Sequence, residues 1–240
     1  PPWPAVGPWR GVELLDVDAA AVRGLRLRSR VVDGRGELSV RLAVEGAAQV
    51  RLELERGGRV HAVDLAPTGE PGEHAGTLAI AGAALWWPHT HGEPALYAAR
   101  LLLSTAGEAA PRAVPLASVG FRTLCVDTTD DGFALSVNGV PVFCRGANWT
   151  PLDAAGLESD AAACEAVLRR VRDAGLNMLR VNGAMVYESD HFHDACDRLG
   201  LLLWQDFMFA NMDYPLDDAP FAEAAREEAV QQLARWQARP

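Results

Sequence analysis

The chain has 240 residues, 49% of them hydrophobic and 22% charged, a balance that allows one large or two ordinary globular domains with ample core. Its formal net charge of −10 argues against a nucleic-acid backbone as partner, and no apolar run approaches the roughly 20 residues that a membrane helix needs. Cys125, Cys144, Cys164 and Cys196 show no C-x-x-C spacing, so buried, reduced thiols are expected rather than a metal site or a disulfide framework, in keeping with the cytoplasm.

The opening PPWPAVGPWR has no basic stretch followed by an apolar one, so no signal peptide is expected. From there to about residue 124 the chain alternates. Leu38, Val40, Leu42 and Val44 are apolar at every second position, as are Val50, Leu52 and Leu54, and again Tyr97, Ala99, Leu101 and Leu103. Turn-formers separate these runs at Asp33-Gly34, Gly57-Gly58, Pro71-Gly72 and Gly107. Short alternating strands with frequent turns predict an antiparallel β-sandwich. The absence of a Cys…Trp…Cys spacing means that an immunoglobulin-like version would lack the antibody disulfide.

From about residue 125 the period changes. Phe133, Leu135 and Val137 lead through Asn138-Gly139 to residues 140–145, a β-hairpin with a type I′ turn, followed by the loop GANWTPLDAAG. Cys164, Val167, Leu168 and Val171 share one helical face, with Ser159 as N-cap and Gly175 as stop. Residues 177–181 form an apolar strand interrupted by Arg180. Phe192, Ala195, Cys196 and Leu199 mark a second helix between Ser189 and Gly200, and residues 201–204 a second apolar strand ending in Gln205-Asp206. An amphipathic segment over about 220–237 closes the chain. Hairpin, α, β, α, β, α is the opening of a (β/α) array with parallel strands and right-handed crossovers. Ligands in such sheets sit beyond the carboxyl ends of the strands, which singles out Arg180, Asn182, Trp204 and Asp206.

These residues resemble glycoside hydrolase family 2, within it the β-mannosidase branch. WWPHTHGEPALY (86–97), VGFRT (119–123), VNGVPVFCRGANWTPLD (137–153), NMLRV (177–181), YESDHFHDACDRLGLLLWQDF (187–207) and MFANMDYP (208–215) follow in the family's order. The resemblance implies a multidomain β then α/β fold: residues 1–15 as the tail of a preceding jelly-roll domain, 16–124 as an immunoglobulin-like β-sandwich, and 125–240 as the N-terminal part of a TIM barrel. Residues 125–240 number 116, under half of the roughly 250 in a complete (β/α)₈ barrel, so the barrel is expected to be incomplete. The activity implied is retaining hydrolysis of terminal β-linked sugars, most readily β-mannosides. Both catalytic glutamates are expected beyond Pro240, so no catalytic residue is assigned in this chain and the chain alone is expected to be inactive. A carbohydrate is the expected partner. No cofactor, metal, nucleic acid or membrane is expected, and the exposed edges of a truncated barrel predict self-association. The sequence departs from the branch at Val181-Asn182-Gly183-Ala184-Met185, where V-W-G-G-G is usual, and mildly at His191-Phe192-His193. The alternatives are another family 2 sugar preference (β-galactosidase, β-glucuronidase, exo-glucosaminidase) or a non-catalytic carbohydrate-binding or structural module.

Each candidate has a plain structural counterpart. Arg180 is either a buried cation paired with Asp206 or, as the resemblance implies, the group that orients the nucleophile and lowers its pKa; both can hold. Asp206 is read as a pocket residue. A catalytic couple of Glu188 with Asp206 is disfavoured, because an acid at Glu188, beside Ser189, suits a helix start. Asn148 and Trp149 fall in the loop after the hairpin, where Trp149 either stacks on a sugar or plugs the barrel rim. Asn182 either hydrogen-bonds substrate or fills space. Trp86, Trp87 and Tyr97 are read as core and interface packing rather than a sugar platform, and His89 and His91 lack a third ligand for a metal.

Overall fold

The computed structural model describes residues 12, 21–47, 49–105, 107, 109–157 and 159–240; the expected jelly-roll tail, apart from Val12, lies outside the described residues. The first half forms a seven-stranded antiparallel sheet from β1 (Val22–Val32), β2 (Arg35–Val44), β3 (Gln49–Arg56), β4 (Arg59–Pro67), β5 (Glu73–Ala81), β6 (Ala98–Ser104) and β7 (Arg112–Pro115), in the order β1-β2-β5-β4-β3-β6-β7. The sheet curls because β4 meets β5 only at Ala66 and Pro67 while pairing along its length with β3. Both flanks then face one core, and the alternating residues predicted to point inward do so: Leu38, Leu42, Val50, Leu52, Leu54, Leu101 and Leu103 are buried there. The hairpin turns lie where Gly and Asp stand, with positive φ at Asp33-Gly34 and Gly57-Gly58, the pairing that matches strand twist in two-residue loops.

The second half begins with a three-stranded antiparallel sheet of β8 (Leu124–Asp127), β9 (Ala134–Val137) and β10 (Val140–Val142) in the order β10-β9-β8. Asn138 and Gly139 both take positive φ, as the type I′ turn requires. Leu135, Val137 and Val142 pack with Leu202 and the fully buried Trp86, so the hairpin wedges between the curled sheet and the parallel strands of the second half.

Those parallel strands are β11 (Gly146–Trp149), β12 (Met178–Val181) and β13 (Leu202–Gln205), covered by α1 (Ala161–Asp173) and α2 (Asp190–Leu199). β11 is a correction to the expected loop at GANW. Gly, Ala and Asn carry little strand propensity, and the strand exists because its backbone pairs with β12, some 30 residues on. Gly146 permits that pairing, since a Cβ there would stand 2.3 Å from the Met178 carbonyl oxygen. The helices keep the faces expected of them: Cys164 and Leu168 on α1 and Phe192, Ala195, Cys196 and Leu199 on α2 are buried. The cap of α1 is not Ser159 but Asp160, whose carboxylate accepts from Ala162 N and Ala163 N at 3.0 and 2.9 Å. The last helix, α3 (Ala219–Trp236), lies against β1. No helix among the described residues is long and apolar enough to cross a membrane.

Candidate functional site

Period-2 geometry sorts the candidates by face. Asn148 pairs with Arg180 and Arg180 with Trp204 across the three parallel strands, so these three form one row on the face away from α1 and α2. One position on, Trp149, Val181 and Gln205 form a row on the helix-covered face. Asp206 follows β13 directly, tied by its N–H to Val181 O at 3.0 Å.

Within the exposed row Arg180 donates to Asp206 Oδ2 from Nε at 3.2 Å and from Nη2 at 2.7 Å, and reaches Oδ1 from Nε at 3.4 Å. The side chains are 46% and 25% exposed, so Arg180 is paired as expected but not buried. A pair this open contributes only about 0–1 kcal/mol to stability. Its effect is orientation: one edge of the guanidinium is spent on Asp206, leaving the Nη1 side. The Arg180 Cζ also lies 5.3 Å from the Trp204 ring centroid, and Trp204 stacks on Phe133 of the hairpin at 5.9 Å with 20° between the planes. Phe133, Leu135, Val142, Phe143, Met178 and Trp204 line a concavity of about 480 Å³ beside the row.

Trp149 settles on the packing side of its two readings. Its ring is buried among Leu168, Val181 and Phe192, 5.0 Å from the Phe192 ring, and Nε1 donates to Glu188 Oε1 at 2.8 Å. Glu188 is itself 7% exposed. It is held under the helices as the indole's acceptor, a role that its place before a helix does not reveal. Asn182 turns its Oδ1 back to accept from Ala184 N at 3.1 Å, which braces the loop after β12. Gly183 lets that loop touch the loop after β13: a Cβ there would meet Phe207 O at 2.1 Å, and Ala210 N donates to Gly183 O at 3.2 Å. The carboxyl ends of β12 and β13 are therefore a tightly knit rim. The structure gathers Asn148, Arg180, Trp204 and Asp206 at one place with Asn182 on its rim. It adds Phe133, which the alternation Phe133, Leu135, Val137 places only on the hairpin's apolar face.

His89 belongs to a contact between the two halves. Its Nε2 lies 2.8 Å from Leu176 O and its backbone N–H donates to Gly200 O at 3.0 Å. Among the described residues no group of three His, Cys, Asp or Glu is arranged for a metal ion.

Bovine (Bos taurus) β-mannosidase is 37% identical over 163 residues, 65% of this chain and 18% of that protein. β-Mannosidase B of Neosartorya fischeri is 30% identical over 244 residues, 98% of this chain and 28% of that protein. The crystal structure of β-D-mannosidase from Dictyoglomus thermophilum superposes with a TM-score of 0.76 at 27% identity, over 92% of this chain and 28% of that one. The chain belongs to glycoside hydrolase family 2, in its β-mannosidase-like branch. It spans only 18% to 28% of the length of these proteins, and no family model matches it. The fold shared with family 2 is mostly β, with a curled antiparallel sheet and few helices.

Proposed function

We propose that this chain is the curled sandwich and opening barrel of a retaining exo-glycoside hydrolase that removes terminal β-linked sugars, β-mannosides foremost. In this reading residues 16–124 are the immunoglobulin-like sandwich, and 125–240 open a (β/α)₈ barrel whose first strands are β11, β12 and β13. The observation that carries it is the row Asn148–Arg180–Trp204, with Asp206 at the strands' carboxyl ends where barrel sites lie, in a chain similar to β-mannosidases along nearly all its length. Asn148 and the free edge of Arg180 supply hydrogen bonds for sugar oxygens. Trp204, 48% exposed, supplies an apolar wall, and Asn182 stands on the rim.

Retaining hydrolysis takes two carboxyl groups roughly 5–5.5 Å apart, one as nucleophile and one as acid/base. Asp206 is committed to Arg180 and Glu188 is buried beneath Trp149 on the opposite face, so neither is assigned that work. In this reading the reactive glutamates belong to other parts of the full-length protein. The full-length protein is expected to release nitrophenol from an aryl β-mannoside, and the 240-residue chain to release none; turnover by the chain, lost in Asp206→Asn, would overturn the reading. Asn182, standing where the branch usually has Trp, favours a second reading with another sugar at the pocket. A panel of aryl β-galactosides, β-glucuronides and β-glucosaminides decides between the two by relative kcat/KM.

A further inference from the structure

We infer that Phe133 is a positioning residue for the pocket, acting through Trp204 on the Arg180 guanidinium; this rests on the pocket reading above. Phe133 is 62% exposed and Trp204 48% exposed, yet the two rings lie nearly parallel at 5.9 Å. The two rings meet across the gap between the hairpin and β13, so the orientation of each bears on that of the other. The hairpin that brings Phe133 there is itself anchored, because Leu135, Val137 and Val142 pack on Leu202, with Met178 against the same cluster. The stack therefore bridges two separate sheets: Phe133 immediately precedes β9, and Trp204 is the third residue of β13.

The consequence falls on Arg180. Asp206 takes its Nε and Nη2 edge, which locates the guanidinium but leaves it able to tilt about that edge. The Trp204 ring, 5.3 Å from Cζ, supplies the second constraint, since the guanidinium follows the ring face by cation–π attraction and stacking. Three linked contacts, Phe133 to Trp204, Trp204 to Arg180 and Arg180 to Asp206, then fix where the unspent N–H groups of Arg180 point. With Phe133 removed, the indole is free to turn about its own side-chain bonds and Arg180 keeps one constraint of its two. Asn148, paired with Arg180 across β11 and β12, feels the change as its neighbour in the row.

The test uses the ¹⁵N-labelled full chain and reads the Arg180 Nε–Hε resonance, assigned by its loss in Arg180→Lys. Phe133→Ala and Phe133→Leu are both expected to shift that resonance and to raise its exchange with water several-fold, and Phe133→Tyr to restore both. The buried Trp86 indole resonance stays put as the control for folding. Leucine keeps the apolar bulk and loses the ring, so a Phe133→Leu protein with the wild-type Arg180 signal would overturn the proposal and leave Phe133 as packing. If Phe133→Ala does not fold, Phe133→Leu decides alone. The readout needs no turnover, so failure of the glycosidase reading and failure of this one are told apart.

Discussion

Arg239 is 7% exposed at its side chain and touches three carboxylates of α2: Asp194 and Asp197 at 2.7 Å each, and Asp190 at 3.6 Å. Burial pushes Asp197 up to about 7 although Arg239 and Arg122 pull the other way. Burial, with Arg239 and Arg235 beside it, drives His193 on the same helix down to about 3, against the pull of Asp190. The two groups give opposite pH slopes. Asp197 binds its proton more tightly folded than unfolded, so its contribution is present below about 4 and is lost as pH rises through about 7. His193 binds its proton less tightly folded, so its contribution is present above about 6.5 and is lost as pH falls toward 3. We predict that Asp197→Asn leaves a stability that climbs from pH 4 to 6.5, and that His193→Gln leaves one that declines over the same range. Urea midpoints across that range check both. At the same scale, Trp149→Phe strips buried Glu188 of its indole donor and is expected to cost about 1–3 kcal/mol, read from the same urea curves. None of these pairings shows in a local pattern. The apolar face of α2 was legible at Phe192, Ala195, Cys196 and Leu199, whereas His193 and Asp197 are buried because residues 236–240 and the Trp86 loop cover the other side.

At the scale of elements, close backbone approach decides what can change. Gly146 and Gly183 lie against carbonyl oxygens that cannot give way as a side-chain tip can. Gly146→Ala is expected to part β11 from β12 and cost more than about 2 kcal/mol, with hydrogen exchange rising at the β11–β12 amides ahead of those in β2 and β3. Loss at both places together would sink the idea that β11 is a locally held strand. The hairpin at Asn138-Gly139 and the strands β2, β3 and β6 were legible because turn chemistry and period-2 burial are written within ten residues. β11 was not, because Gly146-Ala147-Asn148-Trp149 has no such period and owes its state to β12. The cap of α1 falls one residue from the expected Ser159, for Ser and Asp both serve as N-caps and only the path of the chain chooses between them.

For the whole molecule, the two halves meet through a few specific contacts. The Trp86 indole donates to Asp197 O at 2.8 Å, Asn138 Nδ2 to Trp86 O at 3.0 Å, and Ser29 N to Gln237 O at 3.3 Å. Gly120 has no room for a Cβ, which would stand 2.7 Å from Pro240. Phe133, Phe143, Leu124, Val140 and Trp204 are all more than 40% exposed, and among the described residues β11 and β13 each pair on one side only. Apolar surface beside open strand edges favours association. Sedimentation of the 240-residue chain is expected to show a weight-average mass rising with concentration, and Phe143→Lys with Leu124→Lys to lower it. A concentration-independent monomer would contradict this.

By itself the sequence determined the alternating strands and their turns, the change of period near residue 125, the face of α2 and the family, because each is carried by residues close along the chain or by motifs in order. Tertiary structure alone decided that GANW is a strand, that Glu188 serves Trp149, that His193 and Asp197 are buried, and that Phe133 reaches Trp204. Those facts depend on partners about 30 to more than 100 residues away, and a backbone or polar group takes its state from whichever partner removes it from water.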